Sequence, residues 1–174
     1  MTPVSIRPAT PDDIPAVTRI YAHAVAHGTA SFELDPPDQA EMLRRMRALL
    51  DGGFPYITAE IDGAVAGYAY AGPYRPRVAY RYSVEDSIYI DPAVQRRGVG
   101  RALIMRLIAD SEQRGFRQMI AVIGDSAQTA SIELHRAAGF RMIGNIENVG
   151  YKFDRWLDSV LMQRALGPGA TSKP

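Results

Sequence analysis

Gln95-Arg96-Arg97-Gly98-Val99-Gly100-Arg101 follows an apolar run ending Ile88-Tyr89-Ile90-Asp91-Pro92 and precedes a stretch of helical pattern, Ala102 to Gln113. A strand that stops at a glycine-punctuated loop and restarts as a helix exposes free backbone N–H groups. Those groups, the helix dipole and the flanking arginines together favour a pyrophosphate. Two common phosphate loops are excluded. A P-loop needs G-x-x-x-x-G-K-[ST], and the chain has no Gly-Lys pair. A dinucleotide fingerprint needs a third glycine where Leu103 stands.

Around this loop the chain alternates between the two regular periods. Val4-Ser5-Ile6-Arg7 reads as a short strand. Thr10-Pro11-Asp12-Asp13 is a helix start, with Thr10 as N-cap and Pro11 first in the helix, and Ile14, Val17, Ile20, Tyr21, Ala24 and Val25 follow at helical spacing. Met42, Leu43, Met46, Leu49 and Leu50 mark a second helix, ended at Gly52-Gly53. Tyr56 to Ile61 and Val65 to Ala71 are strands about an Asp62-Gly63 turn. Tyr82 to Ile90 is a strand feeding the loop and its helix. Met119 to Ile123 is a buried-type strand, Ser131 to Ala138 a short helix, and Phe140 to Ile146 and Arg155 to Met162 a closing pair of strands. The order implies a mixed α/β sandwich with a largely antiparallel sheet.

A chain of 174 residues fits one domain, here residues 1–166, with residues 167–174 expected as a disordered tail. Lys and Arg number 20 against 19 Asp and Glu, so no global charge favours nucleic acid or an anionic membrane. With no cysteine, disulfides, thiolate metal sites and a cysteine acyl-enzyme are excluded. Any acyl transfer is then expected to run directly from donor to acceptor. No signal pattern opens the chain and no apolar run is long enough to span a membrane, so a cytoplasmic location is expected. His23 and His27 share a helix face at i, i+4, but no third ligand accompanies them, and no metal site is expected.

Q-R-R-G-V-G-R resembles the Q/R-x-x-G-x-G/A loop of the GNAT N-acetyltransferases, and the order of elements is similar to theirs over nearly the whole chain. The resemblance implies an α/β (α+β) fold, a mixed, largely antiparallel sheet with helices on both faces, and acetyl-CoA as co-substrate. It implies that backbone groups of Ile88, Tyr89 and Ile90 pair with the pantetheine amides. Gln95, Arg96, Arg97, Gly98, Val99, Gly100 and Arg101 would take the pyrophosphate. The helix from Ser131 would flank the pantetheine arm. Where the family often has an asparagine that contacts the cofactor, Gln128 stands nearby. Many members carry a tyrosine at the place of His135, which protonates the leaving thiolate; histidine can also donate a proton near neutral pH. A homodimer is implied as well.

Acyl transfer to an amine needs a base, because a model α-amino group has a pKa of about 7.7–8.0. It also needs stabilisation of the thioester oxygen and a proton for the thiolate. Glu85 is the candidate base. By strand alternation it shares a face with Ser83, Ser87 and Tyr89, while Asp86 points to the other face and ranks second. Gly72-Pro73-Tyr74-Arg75-Pro76-Arg77-Val78-Ala79-Tyr80, followed by Ser83-Val84-Glu85-Asp86-Ser87-Ile88-Tyr89, resembles the GNAT subgroup that acetylates phosphinothricin, methionine sulfoximine and methionine sulfone. That resemblance implies Arg75 and Arg77 on the acceptor's acidic groups, Phe32, Tyr80 and Ser87 around its side chain, and Glu85 acting on its α-amine. Arginine forks suit such oxyanions. Two other readings stay open: a GNAT enzyme for a peptide N-terminus or another amine, and a non-catalytic acyl-CoA sensor.

Overall fold

The computed structural model describes residues 3–174. Seven strands form one sheet in the order β1-β2-β3-β4-β5-β7-β6, with β1 Ser5–Pro8, β2 Tyr56–Ile61, β3 Ala64–Pro73, β4 Ser83–Ile90, β5 Gln118–Gly124, β6 Arg141–Lys152 and β7 Arg155–Ala165. Every neighbouring pair is antiparallel except β4 and β5. Helices α1 (Ile14–His27) and α2 (Gln39–Asp51) cover one face, and α3 (Val99–Gln113) and α4 (Thr129–Ala137) the other. The expected mixed, largely antiparallel sandwich is the fold observed.

Two cores flank the sheet. Leu103, Ile104 and Leu107 of α3 are fully buried against Ile57, Ala69, Val84 and Met119. Each such leucine contributes about 1.5–3 kcal/mol by leaving water. On the opposite face Val17, Ile20 and Val25 of α1 meet Met42 and Met46 of α2 over Tyr56 and Tyr68. At the entry to α1, Asp13 Oδ2 accepts from the Thr10 N–H at 2.8 Å, and the first turn, Pro11–Asp13, is a 3-10 turn rather than α-helix.

The site depends on how β4 and β5 part. Their parallel pairing joins Ser83–Asp86 to Gln118–Ala121 and ends there. Beyond it β4 stays on β3 as far as Ile90, and β5 stays on β7 as far as Gly124. The sheet therefore splits into a V, each arm held from its outer side.

Element bounds shift in detail, α3 among them, which begins at Val99 rather than Ala102. β6 runs to Lys152 rather than stopping at Ile146. Its register against β7 slips between Met142 and Gly144 and between Ile146 and Gly150, which breaks the period-2 pattern on which a strand is recognised. α4 begins at Thr129, two residues before Ser131. Past β7 the chain returns to the residue before β5, where Leu166 N–H donates to Arg117 O at 3.0 Å. Arg117 donates to Gly169 O, Ser172 Oγ and Lys173 O at 3.2, 3.2 and 3.0 Å.

Candidate active site

A cleft of about 540 Å³ opens where β4 and β5 separate. Its walls are Asp86 to Ile90 of β4, Ala121 to Gly124 of β5, Ile20, His23, Ala24 and His27 of α1, and Ser131, Leu134 and His135 of α4; Gln95 and Arg96 stand at one end. A volume of this order is that of a small-molecule site. Ser87, Ile88, Tyr89, Ile90, Gln95, Arg96, Gln128, Ser131 and His135, all singled out from sequence, are thus brought together.

Arg97, Gly98 and Arg101 continue the loop outward and are exposed, whereas Val99 and Gly100 are buried in the first turn of α3. Gly98 is the N-cap of α3 at φ +83°, a conformation a side-chain-bearing residue adopts only with strain. Arg96 also has positive φ, +61°. Consecutive turns of this kind aim backbone N–H groups outward at the positive end of a fifteen-residue helix. Gln128 reaches the cleft wall, and its side-chain Nε2 donates to Thr29 Oγ1 at 2.9 Å.

Phe32, Arg75, Arg77, Tyr80 and Glu85 do not line this cleft. Glu85 pairs with Ile120 across the parallel ladder, so it shares a face with Val122 and Gly124, the side covered by α1. The register of β3 on β4 is unbroken from Gly67↔Ile90 to Pro73↔Val84, which keeps Glu85 and Asp86 on opposite faces as alternation requires. Burial is the largest influence on Glu85 and raises its pKa above the usual carboxylate value. The charge of Asp86 adds to this, and that of Arg75 opposes it. The Arg75 guanidinium lies 5.1 Å above the Tyr74 ring, and Tyr74 meets Tyr80 edge-on at 5.7 Å. The β3–β4 connection thus gathers Arg75 and Tyr80 on one exposed loop, and Arg77 N-caps its short helical turn.

Phe32 is placed by three anchors on its loop. Lys152 Nζ donates to Gly28 O (3.0 Å) and Ser31 O (2.8 Å), the Tyr21 hydroxyl pairs with Ser31 Oγ (2.9 Å), and Thr29 Oγ1 donates to Asp125 Oδ2 (3.2 Å). The ring then rests where Gly124 and Gly150 have no side chains. A Cβ on Gly124 would strike Thr29 O and come within 2.8 Å of the ring. Gly124→Ala is accordingly expected to displace the loop. The ring signals of Phe32 should then shift in the NMR spectrum of Gly124→Ala, and an unchanged ring would contradict the fit.

On the α3/α4 face Asp86 and His135 form a buried pair, 7% and 4% exposed, with Nε2 2.9 Å from Oδ2. His135 Nδ1 is 2.7 Å from Ser131 O, and Phe140 stands edge-on to the ring at 5.0 Å. Burial is the largest influence on His135 and lowers its pKa. The hydrogen bond and charge of Asp86, with the Ser131 carbonyl, outweigh it and leave the pKa above its ordinary value of 6.5. Sequence reasoning left this pairing out. Its signal was an acidic residue at an inward strand position, between Val84 and Ile88, where an unpaired carboxylate is costly. The wall contributed by α1 was missed as well. His23 and His27 lie on it, with ring centroids 4.7 Å apart, and among the described residues no three potential ligands cluster around a metal position.

Comparison with known proteins gives consistent matches. Residues 18–140 match the sequence pattern of the acetyltransferase (GNAT) family. A phosphinothricin N-acetyltransferase of Alcaligenes faecalis is 54% identical over 170 residues, covering 98% of this chain and 86% of that protein. An L-methionine sulfoximine/L-methionine sulfone acetyltransferase of Salmonella typhimurium is 40% identical over 163 residues, covering 94% and 95%. The crystal structure of a GNAT superfamily phosphinothricin acetyltransferase from Sinorhizobium meliloti in complex with AcCoA superposes with a TM-score of 0.96 at 46% identity, covering 100% of this chain and 94% of that one.

Proposed function

Because the chain belongs to the acetyltransferase (GNAT) family, we propose that it acetylates the α-amine of small amino-acid-like acceptors of the phosphinothricin, methionine sulfoximine and methionine sulfone type. It is an acetyl-CoA-dependent N-acetyltransferase. The observation that carries the reading is the split between β4 and β5. It puts a cleft of about 540 Å³ beside an unpaired strand edge, with the Gly98 turn at one end and Glu85 across β4 from it.

The residues fit the co-substrate. The β4 edge from Ser87 to Ile90 has no strand partner on the β5 side and can pair with amides. The turn at Arg96 to Gly98 presents N–H groups to a pyrophosphate, and Ser131 to His135 closes the α4 side. Acetyl-CoA supplies an activated thioester carbonyl. Glu85, held partly desolvated, takes a proton from the acceptor ammonium, directly or through one water, so that the amine can attack. Arg75 and Arg77 bind the acceptor's acidic groups, with Phe32, Tyr80 and Ser87 bounding its side chain. His135 lies on the opposite face of β4 and serves the leaving thiolate.

Two further statements belong to this reading. The protein works in the cytoplasm, where acetyl-CoA is supplied, and no helix among the described residues is long and apolar enough to cross a membrane. It works as a homodimer, for which the exposed apolar side chains Met142, Ile143, Ile146 and Val149 on the edge strand β6 and Trp156 on β7 are the candidate contact.

The test is acceptor-dependent CoA release across a panel: methionine sulfoximine, methionine sulfone, phosphinothricin, unmodified amino acids, an aminoglycoside and a short peptide. Release confined to the acids with oxidised sulfur or phosphorus heads is expected. Release with the peptide or aminoglycoside alone contradicts the acceptor assignment.

A further inference from the structure

The two arms of the V are joined unevenly. On the α3/α4 face a single core spans them, with Val84 of β4 and Met119 of β5 in one cluster with Leu103, Ile104 and Leu107 of α3. On the other face the core of α1 and α2 rests on Tyr56 of β2 and Tyr68 of β3, and Tyr21 meets Tyr89 of β4 edge-on at 4.9 Å. Among the described residues no member of that core comes from β5, β6 or β7. α1 therefore travels with the β4 arm. The parallel ladder ends at Asp86 and Ala121, so Ser87 to Ile90 and Val122 to Gly124 run on without pairing to each other.

The segment after α1, residues 28–32, ties the β5 arm to that helix. Lys152 of β6 donates to the Gly28 and Ser31 carbonyls, and the Phe32 ring rests over Gly124 and Gly150. The third tie is the Thr29 hydroxyl, 5% exposed. A carboxylate can only accept, so Thr29 Oγ1 gives its one proton to Asp125 Oδ2 at 3.2 Å, and it accepts the Gln128 Nε2–H at 2.9 Å. Asp125 is fixed to its own arm: its Oδ1 accepts the Ala127 N–H at 3.0 Å and its Oδ2 accepts Arg155 at 2.6 Å. Gln128 is the N-cap of α4 and lines the cleft, as do Ala130 and Ser131 after it. One hydroxyl thus links the corner between β5 and α4 to the end of α1. Nearer the start of α1, Arg19 pairs with Asp91 just past β4 at 2.7 Å, but the Arg19 side chain is 58% exposed, and such surface pairs contribute little.

We propose that Thr29 is the positioning residue of the acetyl-CoA cleft: its hydroxyl latches the β5–α4 corner to α1 and so sets how far the V stands open around the pantetheine arm. The proposal rests on the acetyltransferase reading. No substrate bond forms or breaks at Thr29; its role is to hold the walls. Without the hydroxyl the arms keep the ladder at the base of the V and the α3 core, so the fold stands while the mouth samples wider openings. Each binding event must then narrow the mouth again, and affinity for CoA falls by that cost.

Thr29→Val keeps the branched shape and removes both hydrogen bonds, whereas Thr29→Ser keeps the hydroxyl. The chain has no cysteine, so spin labels on Ala93→Cys and Ala127→Cys, exposed positions just past β4 and β5, report the width of the mouth by pulsed electron paramagnetic resonance. One narrow distance distribution is expected with Thr29 in place and with Thr29→Ser, and a broader one with Thr29→Val. Calorimetry with CoA should show binding about 3- to 10-fold weaker in Thr29→Val, the net scale of one hydrogen bond, and within twofold of native in Thr29→Ser. Should Thr29→Val not fold, Gln128→Met carries the same distance test from the other partner of the hydroxyl. A lowered melting temperature with distances and CoA affinity unchanged overturns the proposal, as does a widened mouth that binds CoA as tightly as before. If the distances respond as expected while the native chain binds no CoA, the failure belongs to the acetyltransferase reading and the latch stands.

Discussion

Glu85→Gln is expected to lower kcat about 100- to 1000-fold, within the usual contribution of a positioned general base, while acetyl-CoA binds as before. Glutamine keeps the size of the side chain and one acceptor oxygen, so the loss reports the missing proton acceptor rather than a cavity. Burial and the Asp86 charge hold the Glu85 carboxyl above the usual carboxylate range against the pull of Arg75. As pH falls through that raised value the base becomes protonated and kcat/KM drops, giving an acid limb. In Glu85→Gln that limb should vanish from the residual rate. Persistence of the limb with a near-native kcat would remove Glu85 from the mechanism.

Arg75→Ala carries the second large effect and two readouts. A charge-assisted hydrogen bond to an acceptor oxyanion is worth about 1.5–3 kcal/mol, so KM for the acidic acceptor should rise about 10- to 100-fold. KM for acetyl-CoA should stay within twofold, as Arg75 is not among the residues that line the cleft. The second readout follows from the sign of the coupling. Arg75 lowers the Glu85 pKa, so its removal should move the acid limb of kcat/KM to higher pH. An equal rise in both KM values, or an acid limb moving the other way, contradicts the placement of Arg75 beside Glu85 and the acceptor.

Much of this site was legible because its determinants are local. The turn at Gly98 needs a residue tolerant of positive φ at the start of a helix, and that requirement is visible as Gly98 and Gly100 after an apolar strand. Strand alternation placed Glu85 and Asp86 on opposite faces, which the unbroken β3–β4 register bears out. What escaped is non-local. Asp86 and His135 are 49 positions apart, and only the packing of α4 on β4 joins them. The anchoring of Phe32 depends on Lys152, some 120 residues away, and on two glycines from different strands. Neither leaves a periodic mark. The full length of β6 was hidden for another reason, since two register slips erase the alternation by which a strand announces itself.

The central claim is direct transfer from acetyl-CoA to an amino-acid-like α-amine while both are bound. It is tested most directly by an initial-rate matrix, with acetyl-CoA and methionine sulfone varied together, CoA release followed, and the product identified by NMR. The account predicts intersecting reciprocal plots, CoA release only when acceptor is present, and the acetyl group on the α-nitrogen. Parallel plots, or CoA release without acceptor and no N-acetyl product, would contradict it.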